Sequence, residues 1–286
     1  PAMSPAISYE QITVSPIAGA LGAEISGVDL GQDLGNQLFQ EIHDALMEHQ
    51  VIFFRDQDIS PSEHVAFARH FGSLQVHPFT PNLEDHPEVL ILESKKDARS
   101  AANQWHSDVT FAEEPPLGSV LLSRICPEHG GDTMWANMYD AYDALSPSMK
   151  RYLDGMIAVH SADGAKFETL HQDDGAKQDS IQDARQVMQP VEHPVVRTHP
   201  VTGRKALFVN AIFTQRLRGV PRKESKMVLD HLYEHIKTPE LSCRFRWQKN
   251  SIAFWDNRCT QHYAIADYGD VHRLMHRVTV NGDRPV

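Results

Sequence analysis

The sequence predicts a mainly β fold, a sandwich or a barrel, with flanking helices. Most apolar runs are short, rich in β-branched or aromatic residues, and bounded by Gly, Pro or Asp. They do not alternate regularly with helices, and no Gly-x-Gly-x-x-Gly or phosphate-loop sequence occurs, which argues against a doubly wound nucleotide-binding fold. The predicted strands cover 51–54, 89–92, 119–122, 194–198, 206–209, 244–247, 252–255 and 274–280.

Three segments predict helices. In the first, Ser60 can cap the helix and Pro61 is suited to its first position. Glu63 can complete a capping box with Ser60. Phe67 then begins an apolar face that ends at Gly72. Two further helices, expected to pack against the core, follow from apolar residues at helical spacing: Leu38, Ile42, Ala45, Leu46 and His49 in one, and Met227, Leu229, Leu232, Tyr233 and Ile236 in the other.

The organisation of the chain predicts one domain over residues 1–286. A chain of 286 residues with 41% apolar content can bury one substantial core, and no low-complexity linker divides it. A polar stretch at about 161–190 separates two groups of strands. We interpret it as a solvated excursion or as a lid over an active site.

Composition argues against several classes of partner, of cysteine site and of cellular location. A formal net charge of -11, from 38 acidic and 27 basic residues, disfavours nucleic acid or an anionic membrane surface as a partner. Three cysteines in dissimilar contexts predict neither a disulfide framework nor a thiolate zinc site. No signal peptide and no apolar run of roughly 18 residues is visible, so we expect a soluble protein of the cytoplasm.

A candidate metal site begins with His106 and Asp108. They lie two apart in an apolar segment that runs to position 111, and residues two apart on a strand share a face. The chain has 17 histidines, and His171 and Asp173 repeat the spacing, but in a polar context without a rigid scaffold. His262, after a predicted strand, is the candidate third ligand. Two histidines and one carboxylate suit a mononuclear iron site with open positions for other ligands.

Two arginines predict an anion site near these residues. Arg273 and Arg277 are four apart, so on the predicted strand their side chains share one face. A guanidinium presents a planar fork of donors that can bind a carboxylate through two hydrogen bonds. The pattern therefore indicates an oxygen-activating enzyme that holds an anionic co-substrate beside the metal.

Together these segments resemble the taurine dioxygenase, or TauD/TfdA, family of Fe(II)- and 2-oxoglutarate-dependent oxygenases. The resemblance covers nearly the whole chain, at residues 22–27, 49–55, 105–111, 130–133, 193–200, 207–210, 255–268 and 273–277. It implies a double-stranded β-helix, or jelly-roll, with flanking helices. It also implies a homo-oligomer, a dimer or a tetramer.

The resemblance assigns roles to particular residues. His106, Asp108 and His262 are implied to hold Fe(II), while 2-oxoglutarate chelates the metal and O2 is the third reactant. The far carboxylate of 2-oxoglutarate is implied to meet Thr133 and Arg273. For the primary substrate, a small organic anion, the implied contacts are His77, the backbone of Val109, Phe213 and Arg277.

The sequence departs from taurine enzymes at two positions in the implied substrate pocket. Thr80 stands where a tyrosine is usual, and Ala102 where an asparagine is usual. A pocket without those polar groups would bury the ammonium of taurine at a cost. We therefore expect an alkyl or aryl sulfonate, an alkyl sulfate ester or a phenoxyalkanoate, in that order, hydroxylated next to the heteroatom so that the carbon–heteroatom bond breaks. From a sulfonate this would release sulfite and an aldehyde.

Two readings of other classes stay open at this point. A cupin-like isomerase or binding protein would use the same barrel with another metal, but it gives no reason for Arg273 to be paired with Thr133. A zinc hydrolase also suits two histidines and a carboxylate, although no nearby Glu or His stands out as a general base. A purely structural protein would leave the three candidate ligands without a common purpose.

Overall fold

The computed structural model describes residues 8–76, 81–94, 103–162 and 189–286. Its helices are α1 Asn36–His49, α2 Pro61–Arg69, α3 Met138–Asp143, α4 Pro147–Leu153 and α5 Arg222–Ile236, followed by a 3-10 turn at Pro239–Leu241. Its strands are β1 Thr13–Pro16, β2 Ala23–Ser26, β3 Val51–Phe54, β4 Val89–Ser94, β5 Gly118–Ile125, β6 Thr133–Asn137, β7 Ile157–His160, β8 Val191–Pro194, β9 Val196–Thr198, β10 Lys205–Leu207, β11 Thr214–Leu217, β12 Ser242–Phe245, β13 Ile252–Asp256, β14 Thr260–Ala264 and β15 Arg273–Val280. Among the described helices, none is long and apolar enough to cross a membrane.

The strands form one large sheet and three small ones. The large sheet has the order β1-β2-β3-β13-β5-β15-β4, and its pairs are antiparallel except for β2 with β3. The small sheets are β12-β6-β14, β11-β7-β8 and β10-β9. Some neighbours in the large sheet are distant along the chain, since β13 lies between β3 and β5. The prediction of a mainly β fold with flanking helices is confirmed.

An aromatic core lies between the large sheet and the β12-β6-β14 sheet. Phe53 on β3 stacks on Phe245 of β12, with ring centroids 4.0 Å apart. Trp255 on β13 packs against Trp135 on β6 at 5.8 Å, and Met275 of β15 joins the same cluster. Two facing sheets closed around a buried core form a jelly-roll, so the fold implied by the resemblance is also confirmed.

Helices α1 and α2 cover the outer face of the large sheet. Ile42 and Phe67 are buried in a cluster with Phe254 of β13. The predicted start of α2 is confirmed, because Ser60 Oγ accepts a hydrogen bond from the Glu63 amide and the Glu63 carboxylate accepts one from the Ser60 amide at 2.6 Å. These reciprocal bonds satisfy amides that the helix itself leaves without partners.

Helix α5 packs against the core, as predicted, but one of its residues faces the other way. Leu229, Leu232 and Ile236 are buried, whereas Met227 is 67% exposed. A helix advances about 100° per residue, and Val228 takes the inward position beside Leu229 instead. The prediction that Met227 faces the core is therefore wrong.

Two further differences concern strands and the polar stretch. The predicted strand at 194–198 is split into β8 and β9, and the predicted strands do not include β1, β2, β6, β7, β11 or β14. Of the stretch at 161–190, only positions 161, 162, 189 and 190 are described. The lid hypothesis thus lies outside the described residues.

Candidate metal centre

Strand β14 places one candidate ligand directly opposite another. The His106 amide donates to the His262 carbonyl at 3.1 Å, and the His262 amide donates to the His106 carbonyl at 2.8 Å. A residue pair that exchanges both backbone bonds projects its side chains from the same side of the sheet. Their ring centroids accordingly lie 4.2 Å apart.

Asp108 reaches the same point through a turn. Strand geometry is the reason given above for His106 and Asp108 to share a face, but the structure has a single bridge at His106 followed by a turn over 108–111. Val109 in this turn has φ of +53°, a left-handed conformation that is unusual for a β-branched residue. Strand alternation was therefore the wrong reason for the spacing. The turn instead directs the carboxylate back, with Asp108 Oδ1 lying 3.8 Å from Nε2 of each histidine.

The two imidazoles are neutral and offer Nε2. The His106 ring nitrogen Nδ1 lies 2.8 Å from the Gln104 carbonyl, which can only accept, so Nδ1 carries the proton and Nε2 keeps its lone pair. Burial lowers the pKa of His106, and burial together with His106 lowers the pKa of His262 to about 3. A neutral imidazole is the form that binds a metal ion.

The three side chains fit a single metal ion. His106, Asp108 and His262 are 6%, 7% and 6% exposed, and their ligand atoms all lie within 4.8 Å of one another. Two imidazole nitrogens and one carboxylate oxygen form the set that holds Fe(II) in oxygenases and leaves positions open for other ligands.

A second group has similar spacing but does not fit a metal. His199, Asp256 and Cys259 also offer ligand atoms within 4.8 Å of one another. Arg258 already donates to both carboxylate oxygens of Asp256, at 2.9 and 2.7 Å. Burial raises the pKa of the Cys259 thiol well above its usual value, so it stays protonated. This group is an internal ion pair.

Both predicted arginines lie on the inner face of β15. Arg273 and Arg277 lie two positions before and two positions after Met275, which packs in the aromatic core. All three side chains therefore project from the same face of the strand. Arg277 Nη1 lies 3.4 Å from Asp108 Oδ1, which places a cation beside the candidate metal site. Arg273 is 9% exposed and lies with its guanidinium carbon 5.9 Å from the Tyr268 ring centre.

The remaining predicted residues are placed as follows. Thr133 is buried, and its Oγ1 accepts a hydrogen bond from Trp247 Nε1 at 2.9 Å. Phe213 is buried and packs edge-on against Phe111, with ring centroids 5.0 Å apart. His77, Thr80 and Ala102 lie outside the described residues.

Sequence reasoning missed the side chains that fix this centre. Asn257 bonds both backbone groups of Asp108, and Ser107 Oγ donates to the Thr260 carbonyl at 2.8 Å. Asn257 and Thr260 lie within the segment that carries the resemblance, but no role was assigned to them. No local pattern predicts these bonds, because they join residues about 150 positions apart. Trp247, which bonds Thr133, was read only as part of a strand.

Comparisons with known proteins identify the family. The model of the taurine catabolism dioxygenase TauD, TfdA family matches residues 13–279. An alkylsulfatase from Acinetobacter baylyi is 39% identical over 96% of this chain and 86% of its own length. An alpha-ketoglutarate-dependent sulfate ester dioxygenase from Pseudomonas putida is 39% identical over 96% of this chain and 91% of its own.

A solved structure agrees with this result. A taurine dioxygenase from Burkholderia xenovorans superimposes with a TM-score of 0.83 at 35% identity, covering 97% of this chain and 93% of that one. Agreement in sequence and in fold over almost the whole chain argues against the isomerase and zinc hydrolase alternatives. The chain belongs to the TauD/TfdA family and is an Fe(II)- and 2-oxoglutarate-dependent dioxygenase.

Proposed function

We propose that the enzyme hydroxylates a small organosulfur anion, first an alkyl sulfate ester and second a sulfonate, at the carbon next to the heteroatom. The observation that carries the proposal is the position of Arg277, with Nη1 3.4 Å from Asp108 Oδ1. A guanidinium there can hold an anionic head so that the adjacent carbon lies over the metal. The Phe111 and Phe213 pair offers an apolar surface for the tail of such a substrate.

We propose His106, Asp108 and His262 as the Fe(II) ligands. When bound, the iron supplies the oxidising power that replaces a C–H hydrogen with hydroxyl, using O2 and converting 2-oxoglutarate to succinate and CO2. The protein side chains hold the reactants in place and exclude water from the buried site.

We assign the far carboxylate of 2-oxoglutarate to Thr133 and Arg273. The Trp247 indole donates to Thr133 Oγ1, so the hydroxyl proton of Thr133 is directed away from Trp247 and is available to an anion. Burial lowers the pKa of Arg273, although an arginine with even a reduced pKa stays charged at neutral pH. A buried guanidinium and a buried hydroxyl donor would together suit one carboxylate group.

The substrate contacts are proposed for His77, the Val109 backbone, Phe213 and Arg277. Arg277 and His77 would bind the anionic head, and Phe213 would pack against the tail. Thr80 and Ala102 replace the polar groups that suit an ammonium, which disfavours taurine itself. The names of the two curated relatives, an alkylsulfatase and a sulfate ester dioxygenase, move sulfate esters ahead of sulfonates.

Bond cleavage follows from the position of hydroxylation. A sulfate ester hydroxylated at the carbon that bears the ester oxygen carries a hydroxyl and a good leaving group on one carbon. The hydroxyl oxygen forms the carbonyl of an aldehyde, the C–O bond to sulfate breaks, and the hydroxyl proton leaves with hydrogen sulfate. In a sulfonate the C–S bond breaks, and sulfite is released.

A panel of substrates tests this function. Purified enzyme with Fe(II), ascorbate, 2-oxoglutarate and O2 is given hexyl sulfate, hexane-1-sulfonate, taurine or phenoxyacetate, and succinate, aldehyde and inorganic sulfur anions are measured. We expect hexyl sulfate to give equal amounts of succinate, hexanal and sulfate, ahead of hexane-1-sulfonate. Turnover of phenoxyacetate alone would contradict the organosulfur assignment.

A matched pair of arginine variants tests the anion site. Arg277→Gln should raise KM for hexyl sulfate at least about tenfold, because a charge-assisted contact with the head group is lost. Arg218→Gln removes the same charge at an exposed position, where Arg218 pairs with Glu192, and should leave KM unchanged. Equal KM values in the two variants would remove Arg277 from the substrate site.

The proposal also covers the subunit count and the cellular compartment of the enzyme. We propose a homo-oligomer, a dimer or a tetramer, of single-domain chains in the cytoplasm. The three cysteines, Cys126, Cys243 and Cys259, are all free, which suits a reducing compartment. Light scattering coupled to size-exclusion chromatography measures the subunit count.

A further inference from the structure

The side chain of Asn257 is buried and bonds both backbone groups of Asp108. Asn257 Oδ1 accepts a hydrogen bond from the Asp108 amide at 2.7 Å. Asn257 Nδ2 donates to the Asp108 carbonyl at 3.0 Å and to the Pro116 carbonyl at 3.3 Å. Asn257 is 1% exposed, so water does not compete for these bonds.

This clamp matters because Asp108 has no strand to hold it. It lies in a turn, between the bridge at His106 and the left-handed Val109, which has φ of +53°. Non-glycine residues persist in such a conformation only where the surrounding structure imposes it. By bonding both the amide and the carbonyl of Asp108, Asn257 fixes the backbone orientation from which the carboxylate projects.

The clamp itself has a rigid base. The Asn257 amide donates to the Leu117 carbonyl at 2.8 Å, and the neighbouring Asp256 amide donates to the Gln50 carbonyl at 2.8 Å. The Asp256 side chain is locked by Arg258, as described above, and by His199 Nε2 at 3.0 Å. The position of Asn257 is therefore set by the large sheet, which does not depend on a bound metal.

We propose that Asn257 is a positioning residue for the carboxylate ligand, and that it raises metal affinity by presenting Asp108 toward His106 and His262 before the ion binds. The inference rests on the proposed ligand role of Asp108. Groups that orient a metal ligand change metal affinity by about 10–100-fold when they are removed. We expect that loss in Asn257→Ala.

The matched control is Asn137, an asparagine buried to a similar degree with a similar set of bonds. It is 2% exposed, and its Oδ1 accepts from the Tyr139 and Asp140 amides. Its Nδ2 donates to the Ala20 carbonyl at 2.7 Å and to Gln50 Oε1 at 3.1 Å. None of these contacts reaches a candidate metal ligand. Asn137→Ala should destabilise the fold to a similar extent without changing metal affinity.

The experiment measures Mn(II) binding to full-length apo-protein by electron paramagnetic resonance, with thermal unfolding measured on the same samples. We expect Kd for Mn(II) to rise about 10–100-fold in Asn257→Ala and to stay within twofold of wild type in Asn137→Ala. Both variants should show lower unfolding temperatures. A wild-type Kd in Asn257→Ala, or an equal rise in Asn137→Ala, overturns the inference.

Two further variants keep the result decisive. If Asn257→Ala does not fold, Asn257→Asp replaces it. This variant keeps the shape and the acceptor for the Asp108 amide but places an oxygen against two carbonyls, and it should also weaken Mn(II) binding. If Asn257→Asp binds Mn(II) within twofold of wild type, the inference fails. Asp108→Ala separates the two levels of the argument: if it retains wild-type Mn(II) affinity, the ligand assignment fails and the inference fails with it.

Discussion

Replacing Asp256 with Asn should destabilise the fold far more than the loss of one hydrogen bond would. Oδ1 of Asp256 accepts bonds from the Arg258 amide at 3.0 Å and from Arg258 Nε at 2.9 Å. Oδ2 accepts from Arg258 Nη2 at 2.7 Å and from His199 Nε2 at 3.0 Å. Because each oxygen faces two donors, either orientation of the new amide places its NH2 group against donors.

The protonation of His199 strengthens this argument. His199 Nδ1 accepts from the Val201 and Thr202 amides, at 3.3 and 3.1 Å, so the proton of the neutral ring lies on Nε2 and points at Asp256. The ring cannot change tautomer to accept from an asparagine without losing both of those bonds. His199 therefore cannot accept a hydrogen bond from the amide of the new asparagine.

The expected magnitude follows from burial. Asp256 is 1% exposed and Arg258 is 5% exposed, so the variant leaves a buried guanidinium without its counter-charge. Removing one partner of a buried ion pair costs ~3–5 kcal/mol. At ~2 °C per kcal/mol for a chain of this size, the unfolding temperature should fall by about 6–10 °C.

The assay is urea unfolding of apo-protein followed by tryptophan fluorescence, with EDTA present so that metal binding does not contribute. The control is Asp230→Asn, which breaks the exposed Lys226–Asp230 pair, with Nζ and Oδ2 2.5 Å apart, and should cost less than ~0.5 kcal/mol. If Asp256→Asn costs less than ~1 kcal/mol, or no more than Asp230→Asn, the reasoning about the buried pair is refuted.

The pH dependence gives a second check on the same variant. Burial raises the pKa of Asp256, but Arg258 and the hydrogen bonds from Arg258 and His199 outweigh burial and bring the pKa well below its usual range. A carboxyl with a lowered folded pKa stabilises the protein above its unfolded pKa of ~3.9 and loses that contribution as the pH falls toward the folded pKa. The stability difference between wild type and Asp256→Asn should stay constant from pH 8 to 5 and shrink below about pH 4.

Two further predictions concern single contacts. Trp247→Phe removes the hydrogen bond of 2.9 Å to Thr133 Oγ1. Kd for 2-oxoglutarate, titrated anaerobically by the visible band of the Fe(II) complex, should therefore rise about 3–10-fold, while Mn(II) affinity stays unchanged. An unchanged Kd would mean that Trp247 does not support the co-substrate site. Burial lowers the pKa of His64 to about 3, so the unfolded chain binds a proton there that the folded chain excludes, and stability falls as the pH drops from about 6.5 toward 3. The glutamine of His64→Gln can still donate to the Val120 carbonyl. The substitution should reduce the slope of the unfolding free energy against pH in that interval by up to ~1.4 kcal/mol per pH unit. An unchanged slope would mean that His64 does not titrate in this way.

The sequence predicts those parts of the fold whose signals are local. Helix α2 is predictable because its capping box joins Ser60 to Glu63 within one turn. Strand β3 and residues 252–255 of β13 are predictable because these residues are apolar and buried on both faces. Strand β14 has no such signal, since its sequence is Thr-Gln-His-Tyr-Ala and it is held in the sheet by pairing with β6.

The candidate site also has features that the sequence predicts and features that it does not. Residue types and order were enough to select His106, Asp108 and His262, which the fold brings within 4.8 Å of one another. The turn at Val109 could not be predicted, because nothing in a β-branched residue signals a left-handed conformation. Nor could the bond from Asn257 to Asp108, which depends on the tertiary fold.

The most direct test of the central claim is anomalous X-ray scattering from crystals of the protein grown anaerobically with Fe(II) and 2-oxoglutarate. We predict one iron peak within coordination distance of His106 Nε2, His262 Nε2 and a carboxylate oxygen of Asp108, which would show that these three side chains hold the metal. A peak bound elsewhere, or a peak in contact with only one of the three, would contradict the proposed centre.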